Sequence, residues 1–185
     1  MRVLVFNGAP RYHHINVTLA QVFAQAAAEQ PAATVQVLHL HQIAADLGKS
    51  ESLLQLSDTA AEAYQDVLDA DLLIFSVPQY AAGLPGLFTH FFDLLDVTAL
   101  RGKVALIAAT GSGLYSPLLD TQLRPLLDHF GLFVMPIDNY LPHSAFSTLP
   151  GINSTLLTNQ QALARVRFST QQATSLVAAK LRSVA

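Results

Sequence analysis

Five short apolar runs, each closed by turn residues, punctuate the chain: Val3 to Phe6, Val35 to Leu40, Leu72 to Val77, Val104 to Ala109 and Leu132 to Ile137. Runs of this length, rich in Val, Leu and Ile, predict strands. Because they are apolar on both faces, they predict parallel strands with helices packed on each side. Between them the apolar positions change to helical spacing. Asn16 to Gln30 carries Val17, Ala20, Phe23 and Ala27 and stops before Pro31, and Asp58 is placed to cap a helix ending near Asp69. Leu84 to Leu95 and Pro117 to Phe130 follow. Thr158 or Asn159 then opens a long helix with Leu163, Val166, Ala173, Leu176 and Leu181 on one stripe. Two connections lack a period, His39 to Ser57 and Pro142 to Thr155, and both read as long loops. Strand and helix thus alternate five times, the pattern of a doubly wound sheet.

A chain of 185 residues predicts one domain over 1–185. At this length a doubly wound α/β chain is more often flavodoxin-like than Rossmann-like, so the expected fold is a three-layer sandwich. Its centre is a five-stranded parallel sheet with helices on both faces. Composition then removes function classes. Hydrophobic residues are 51% and charged ones 12%, which excludes disorder. The net charge of −3, without a basic cluster, speaks against nucleic acid. The chain has no Cys, so disulfides, thiol nucleophiles and Cys-ligated metals are out. No apolar run is long enough for a signal segment or a membrane span, and the expectation is a cytoplasmic protein that does not bind membranes. Seven histidines raise the question of metal. His39-x-His41 would share one face of a strand, but no third ligand stands at suitable spacing, and no metal is expected.

In an open parallel sheet, ligands bind beyond the carboxyl ends of the strands, which directs attention to the loops after strands one, three and four. The first, Asn7-Gly8-Ala9-Pro10-Arg11, leads into a helix near Asn16. Its free backbone N–H groups and the positive helix end make an anion site, with Arg11, Asn16 and Thr18 as further donors. The second, Pro78-Gln79-Tyr80-Ala81-Ala82-Gly83-Leu84-Pro85-Gly86, has two prolines and two glycines that let backbone approach a flat ligand, with Tyr80 as an aromatic face. The third, Thr110-Gly111-Ser112-Gly113-Leu114-Tyr115, is small and rich in N–H groups. It lacks the final Gly of a dinucleotide fingerprint and the first Gly of a hydrolase elbow. Each loop alone reads equally well as a structural turn.

Taken together, the three loops resemble those of the NADPH-dependent FMN reductase family of flavodoxin-like proteins, nearest its sulfonate-utilisation type flavin reductases. Gly8, Arg11, Asn16, Thr18 and Leu19 meet its first signature, and Pro78, Tyr80, Gly86 and Asp93 its second. Thr110-Gly111-Ser112-Gly113 and Leu123-Arg124-Pro125 meet its third. The resemblance implies an oxidoreductase that binds FMN and passes hydride from NADPH or NADH to a flavin, quinone or other small organic acceptor. It implies FMN contacts at Ala9, Arg11, His14, Asn16, Val17, Thr18, Pro78, Gln79, Tyr80, Thr110, Gly111, Ser112 and Gly113, with no catalytic acid or base. It also implies a homodimer or homotetramer, and the apolar Leu87, Phe88, Phe91, Phe92 and Leu95 fit a subunit contact. Ala9 and His14 replace serines that usually bind phosphate, and Thr89 replaces a Lys. His13 or His14, when protonated, is expected to supply the lost contact, with FMN affinity falling as pH rises from 6 to 8. The alternative those departures raise is a flavodoxin-like scaffold that has lost its cofactor.

Overall fold

The computed structural model describes residues 1–81, 83–148 and 155–184. Five parallel strands form the main sheet in the order β2-β1-β3-β4-β5: β1 (Arg2–Asn7), β2 (Thr34–His39), β3 (Leu72–Pro78), β4 (Val104–Gly111) and β5 (Phe133–Pro142). The three central strands are buried along nearly their whole length, as their unbroken apolar runs require. β2 and β5 are the edges and alternate between buried and exposed positions, so the expectation of two covered faces holds for the centre of the sheet alone. β5 is longer than its apolar run. It continues past Ile137 to Pro142 after a register shift against β4 between Ala105 and Ile107.

Helices α1 (His14–Ala28) and α6 (Gln160–Val184) cover one face, where Leu19, Phe23, Val166 and Ala173 join a core with Val3, Val5, Ile74 and Leu106. The other face is covered by α2 (Leu40–Leu47), α3 (Asp58–Asp69), α4 (Gly86–Asp93) and α5 (Arg124–His129). The result is the three-layer flavodoxin-like sandwich. Among the described residues, no helix is long and apolar enough to cross a membrane.

Several expectations change in detail. The loop proposed for His39 to Ser57 contains α2 and a short 3₁₀ turn, Leu53–Gln55. Leu40, Ile43 and Leu47 form a buried helical stripe that begins directly where β2 ends, so the apolar run hid the boundary. The cap of α3 is Ser57, whose hydroxyl accepts from the Ala60 N–H, and Asp58 sits in the first turn. The expected helix from Pro117 to Phe130 opens as a π turn, Leu119–Leu123, before α5. The loop from Pro142 to Thr155 holds a 3₁₀ turn, His143–Ala145, and two short antiparallel strands, β6 (Phe146–Thr148) and β7 (Thr155–Leu157). Its segment 149–154, and Ala82 in the second loop, lie outside the described residues. Asn159 caps α6 by accepting from the Ala162 N–H at 2.9 Å.

The proposed subunit contact on α4 is interior to the monomer. Phe88, Phe91 and Phe92 are buried to 0%, 0% and 1% exposure, and Phe91 packs on Phe6 and is stacked by Tyr64 at 3.9 Å. Leu95 is buried as well, and Leu87 is half-buried against the same core.

Candidate functional site

The chain leaves β1 for α1 on one face of the sheet, whereas β3 feeds α4 on the other. Because β1 lies between β2 and β3, the loops after β1 and β3 part at the carboxyl edge and leave a crevice there. The first loop is pinned at its base. Buried Asn7 accepts from the Ala9 N–H at 3.1 Å, its amide nitrogen lies 3.0 Å from His39 Nδ1, and Gly8 N–H donates to the Ser76 carbonyl at 2.8 Å. Gly8 is required by space. A Cβ there would come within 2.6 Å of the Phe88 ring and 2.9 Å of Val77. Beyond it the loop opens, and the backbone N–H groups of residues 11 to 16 donate to no acceptor among the described residues. No side chain caps α1 and no carboxylate stands in its first turn. A row of unpaired amides at a helix start is an anion seat.

Two further loops close on it. Gln79 N–H donates to the Thr110 carbonyl at 2.8 Å, and Tyr80 and Gly83 exchange two backbone bonds in a tight turn. Leu84 N–H is held by Gln122 Oε1 at 2.9 Å, which ties this loop to the π turn. After β4, the N–H groups of Ser112, Gly113 and Leu114 donate to no backbone carbonyl among the described residues, and Leu114 and Tyr115 are 86% and 76% exposed. Tyr140 at the end of β5 fixes that loop by donating its hydroxyl to the Gly113 carbonyl at 2.8 Å, and partial burial raises its pKa. Where the loops meet, His13, Asn16, Pro78, Gln79, Tyr80 and His143 line a cavity of about 120 Å³ that contains no carboxylate. A larger cavity of about 460 Å³ lies along α1, β7 and α6, away from these amides, and it has no comparable convergence of loops.

Imidazoles crowd the anion seat. His13 stacks on His14 with ring centroids 4.8 Å apart, and His143 lies 5.9 Å from His13. Nδ1 of His13 is buried and has no partner among the described residues. Burial, then the neighbouring His14 and His143, hold the pKa of His13 below its ordinary 6.5; burial and then His14 act on His143 in the same direction. Burial and then His41 lower His39. The folded protein therefore binds fewer protons than the unfolded chain just below pH 6.5, and stability should fall as pH drops through that value. Without ligand, the urea midpoint is expected to decrease between pH 7.5 and 5.5, with a shallower slope in the triple variant His13→Gln, His39→Gln, His143→Gln. A midpoint constant over that range would contradict this.

The residues proposed from sequence divide into those that face the crevice and those that brace it. Pro78, Gln79, Tyr80 and Asn16 line the cavity, and Gly111 to Gly113 form the third loop. Asn16 also braces, since its Oδ1 accepts from the buried Thr110 hydroxyl at 2.6 Å and so joins α1 to β4. Thr18 turns away, donating to the Thr155 carbonyl at 3.0 Å in the seam with β7. Arg11 and His14 are exposed at the loop, Ala9 is buried beneath it and Val17 is half-buried. Thr89 returns its hydroxyl to the Gly86 carbonyl. Sequence reasoning missed His143, Tyr140 and Gln122. The first two lie beyond the apolar run that marked β5, where no periodicity pointed to them.

Comparison with known proteins agrees with this geometry. The family described as NADPH-dependent FMN reductase matches residues 1–146. The chain is 34% identical over 147 residues to the NADH-dependent FMN reductase SfnF of Pseudomonas fluorescens strain Pf0-1, covering 79% of this chain and 75% of that one. It is 33% identical over 142 residues to an FMN reductase (NADPH) of Pseudomonas aeruginosa, covering 76% and 73%. Among solved structures, the apo form of the NADH:FMN oxidoreductase EMOB superposes with a TM-score of 0.74 at 22% identity, over 94% of this chain and 88% of that one.

Proposed function

The chain belongs to the NADPH-dependent FMN reductase family and is an oxidoreductase with FMN as cofactor. From that premise we propose that it transfers hydride from NADH or NADPH, through FMN, to a second flavin, a quinone or another small organic acceptor. The observation that carries the reading is the row of amides at residues 11 to 16 that have no acceptor among the described residues, an arrangement that suits a phosphate. When bound, FMN supplies the redox chemistry, accepting hydride from the nicotinamide and passing electrons on.

The chain's own residues would bind and orient. The amides of residues 11 to 16 and the Arg11 guanidinium would hold the phosphate, and Ala9 beneath them adds no group that competes. Asn16, braced by Thr110, would present its remaining amide donor at the cavity it lines. Pro78, Gln79 and Tyr80 would flank the ring on one side, and the N–H groups after Gly111 would meet its polar edge. Val17 and Thr18 would support the helix start from behind. The exposed Leu114, Tyr115 and Tyr80 leave an apolar rim open to the nicotinamide and then to the acceptor. What favours FMN over an empty scaffold is that the backbone N–H groups of residues 11 to 16 find no acceptor among the described residues.

The test is spectral. Titration of the purified protein with FMN near pH 6.5 should shift the flavin absorption bands at micromolar concentration. Anaerobic addition of NADPH or NADH should then bleach them, and added free FMN or a quinone should restore them. No binding at high micromolar FMN, or bound flavin that neither nucleotide bleaches, would overturn the reading.

A further inference from the structure

Three imidazoles converge on the anion seat from two separate parts of the chain. His13 stands immediately before α1, His14 opens it, and His143 arrives from the 3₁₀ turn after β5, about 130 residues away in sequence. His13 and His143 line the same cavity as Asn16 and Gln79. His14 faces a neighbouring cavity with Tyr12, Thr148 and Thr155. The ionisable groups around them are Arg11 and Tyr12 on the first loop, Tyr80 on the loop after β3, and His39 and His41 at the join of β2 and α2, where His41 packs edge-on against Tyr12. None is a carboxylate. Among the described residues, the strands packed beside His14 offer the hydroxyls of Thr148 and Thr155. Protonation of this cluster thus adds positive charge that no described carboxylate beside it neutralises.

We propose that His13 and His143, with His14 stacked behind His13, form an imidazole seat for the FMN phosphate, and that FMN binding is coupled to proton uptake by this seat. The proposal rests on the FMN reading above and names the groups that replace the missing hydroxyls. A neutral imidazole offers one N–H and one lone pair, and the lone pair opposes a phosphate oxygen; only the imidazolium donates from both nitrogens. Without a ligand, His13 and His143 resist protonation because burial and then the neighbouring imidazoles disfavour their charged forms. A phosphate monoester carries a charge of about −1.5 to −2 at neutral pH, and placed among the rings it reverses that balance. His13 Nδ1 is buried and has no partner among the described residues, so its ring has a polar atom still to satisfy. The phosphate's own second ionisation, near pH 6, acts in the opposite sense, so the coupling is read above that value.

The experiment follows flavin fluorescence during titration with FMN and, separately, riboflavin, between pH 6.5 and 8.5. For FMN, the Kd is expected to rise about tenfold across that range, which corresponds to an average uptake of about half a proton with the ligand. For riboflavin, which has no phosphate, it should stay flat. Calorimetry of FMN binding near pH 7 in two buffers of different ionisation enthalpy should register net proton uptake by the unmodified protein. His143→Gln and His13→Gln should each weaken FMN and flatten the slope, with riboflavin affinity unchanged. An FMN affinity independent of pH, an equal slope for riboflavin, or a slope retained in the double variant would overturn the proposal while leaving the FMN reading intact. Failure of both flavins to bind at any pH would overturn both together. The two wild-type measurements decide the matter even if a variant does not fold.

Discussion

Phe91→Ala is expected to lower stability by about 3–5 kcal/mol, the range for removing a fully buried aromatic ring. The ring has 0% exposure, meets Phe6 edge-on at 4.9 Å and stacks on Tyr64 at 3.9 Å, and the Phe91 carbonyl accepts the Tyr64 hydroxyl at 2.9 Å. Truncation removes these ring contacts with Phe6 and Tyr64. Chemical denaturation checks the prediction, with Leu54→Ala, at a position 97% exposed, as a control expected to change little. The shift should not depend on protein concentration. A small shift that grows on dilution would instead place Phe91 at a contact between two copies of the chain, with α4 as part of an interface.

Gly111→Ala is expected to weaken FMN roughly 10- to 100-fold, the loss of about two backbone hydrogen bonds to the ligand. A Cβ at Gly111 would lie 2.6 Å from the Tyr140 hydroxyl and 3.1 Å from Gln79 Oε1. Tyr140 must move, its bond to the Gly113 carbonyl breaks, and the loop it orders is released. The closest clash is with the hydroxyl alone, since the ring carbon behind it is 3.4 Å away. The double variant Gly111→Ala, Tyr140→Phe should therefore fold better than Gly111→Ala and recover part of its urea midpoint, a coupling that a double-mutant cycle measures. FMN affinity equal to wild type in Gly111→Ala would show that the loop after β4 does not touch the cofactor.

The fold was legible because its signals are local. Short apolar runs such as Leu72 to Val77 marked the strands of a covered sheet, and the intervening helical segments predicted α1, α3, α4 and α6 to within a few residues. The misses have specific causes. α2 begins in the residue after β2, so one apolar run spanned two elements. The π turn before α5 has no periodicity of its own. Apolarity alone could not assign Phe88, Phe91 and Phe92 to core or interface, because either burial asks for the same residues.

In the site, the order and spacing of the loops were written in the chain. Which side chains face the ligand was not. Thr18 and Asn16 stand two residues apart in one helix, about 200° apart around its axis, and what packs on each side decides that Thr18 bonds to β7 while Asn16 lines the crevice. His143 meets His13 only because β5 runs on past its apolar segment and delivers the next turn beside the first loop. The sequence by itself determined the alternation of strands and helices, the family and the loops that carry the chemistry, since each depends on residues adjacent in the chain. Tertiary structure alone decided the aromatic core beneath α4, the Tyr140 brace and the imidazole cluster. Those contacts join residues far apart in sequence, and their energies exist only once the sheet brings the loop ends together.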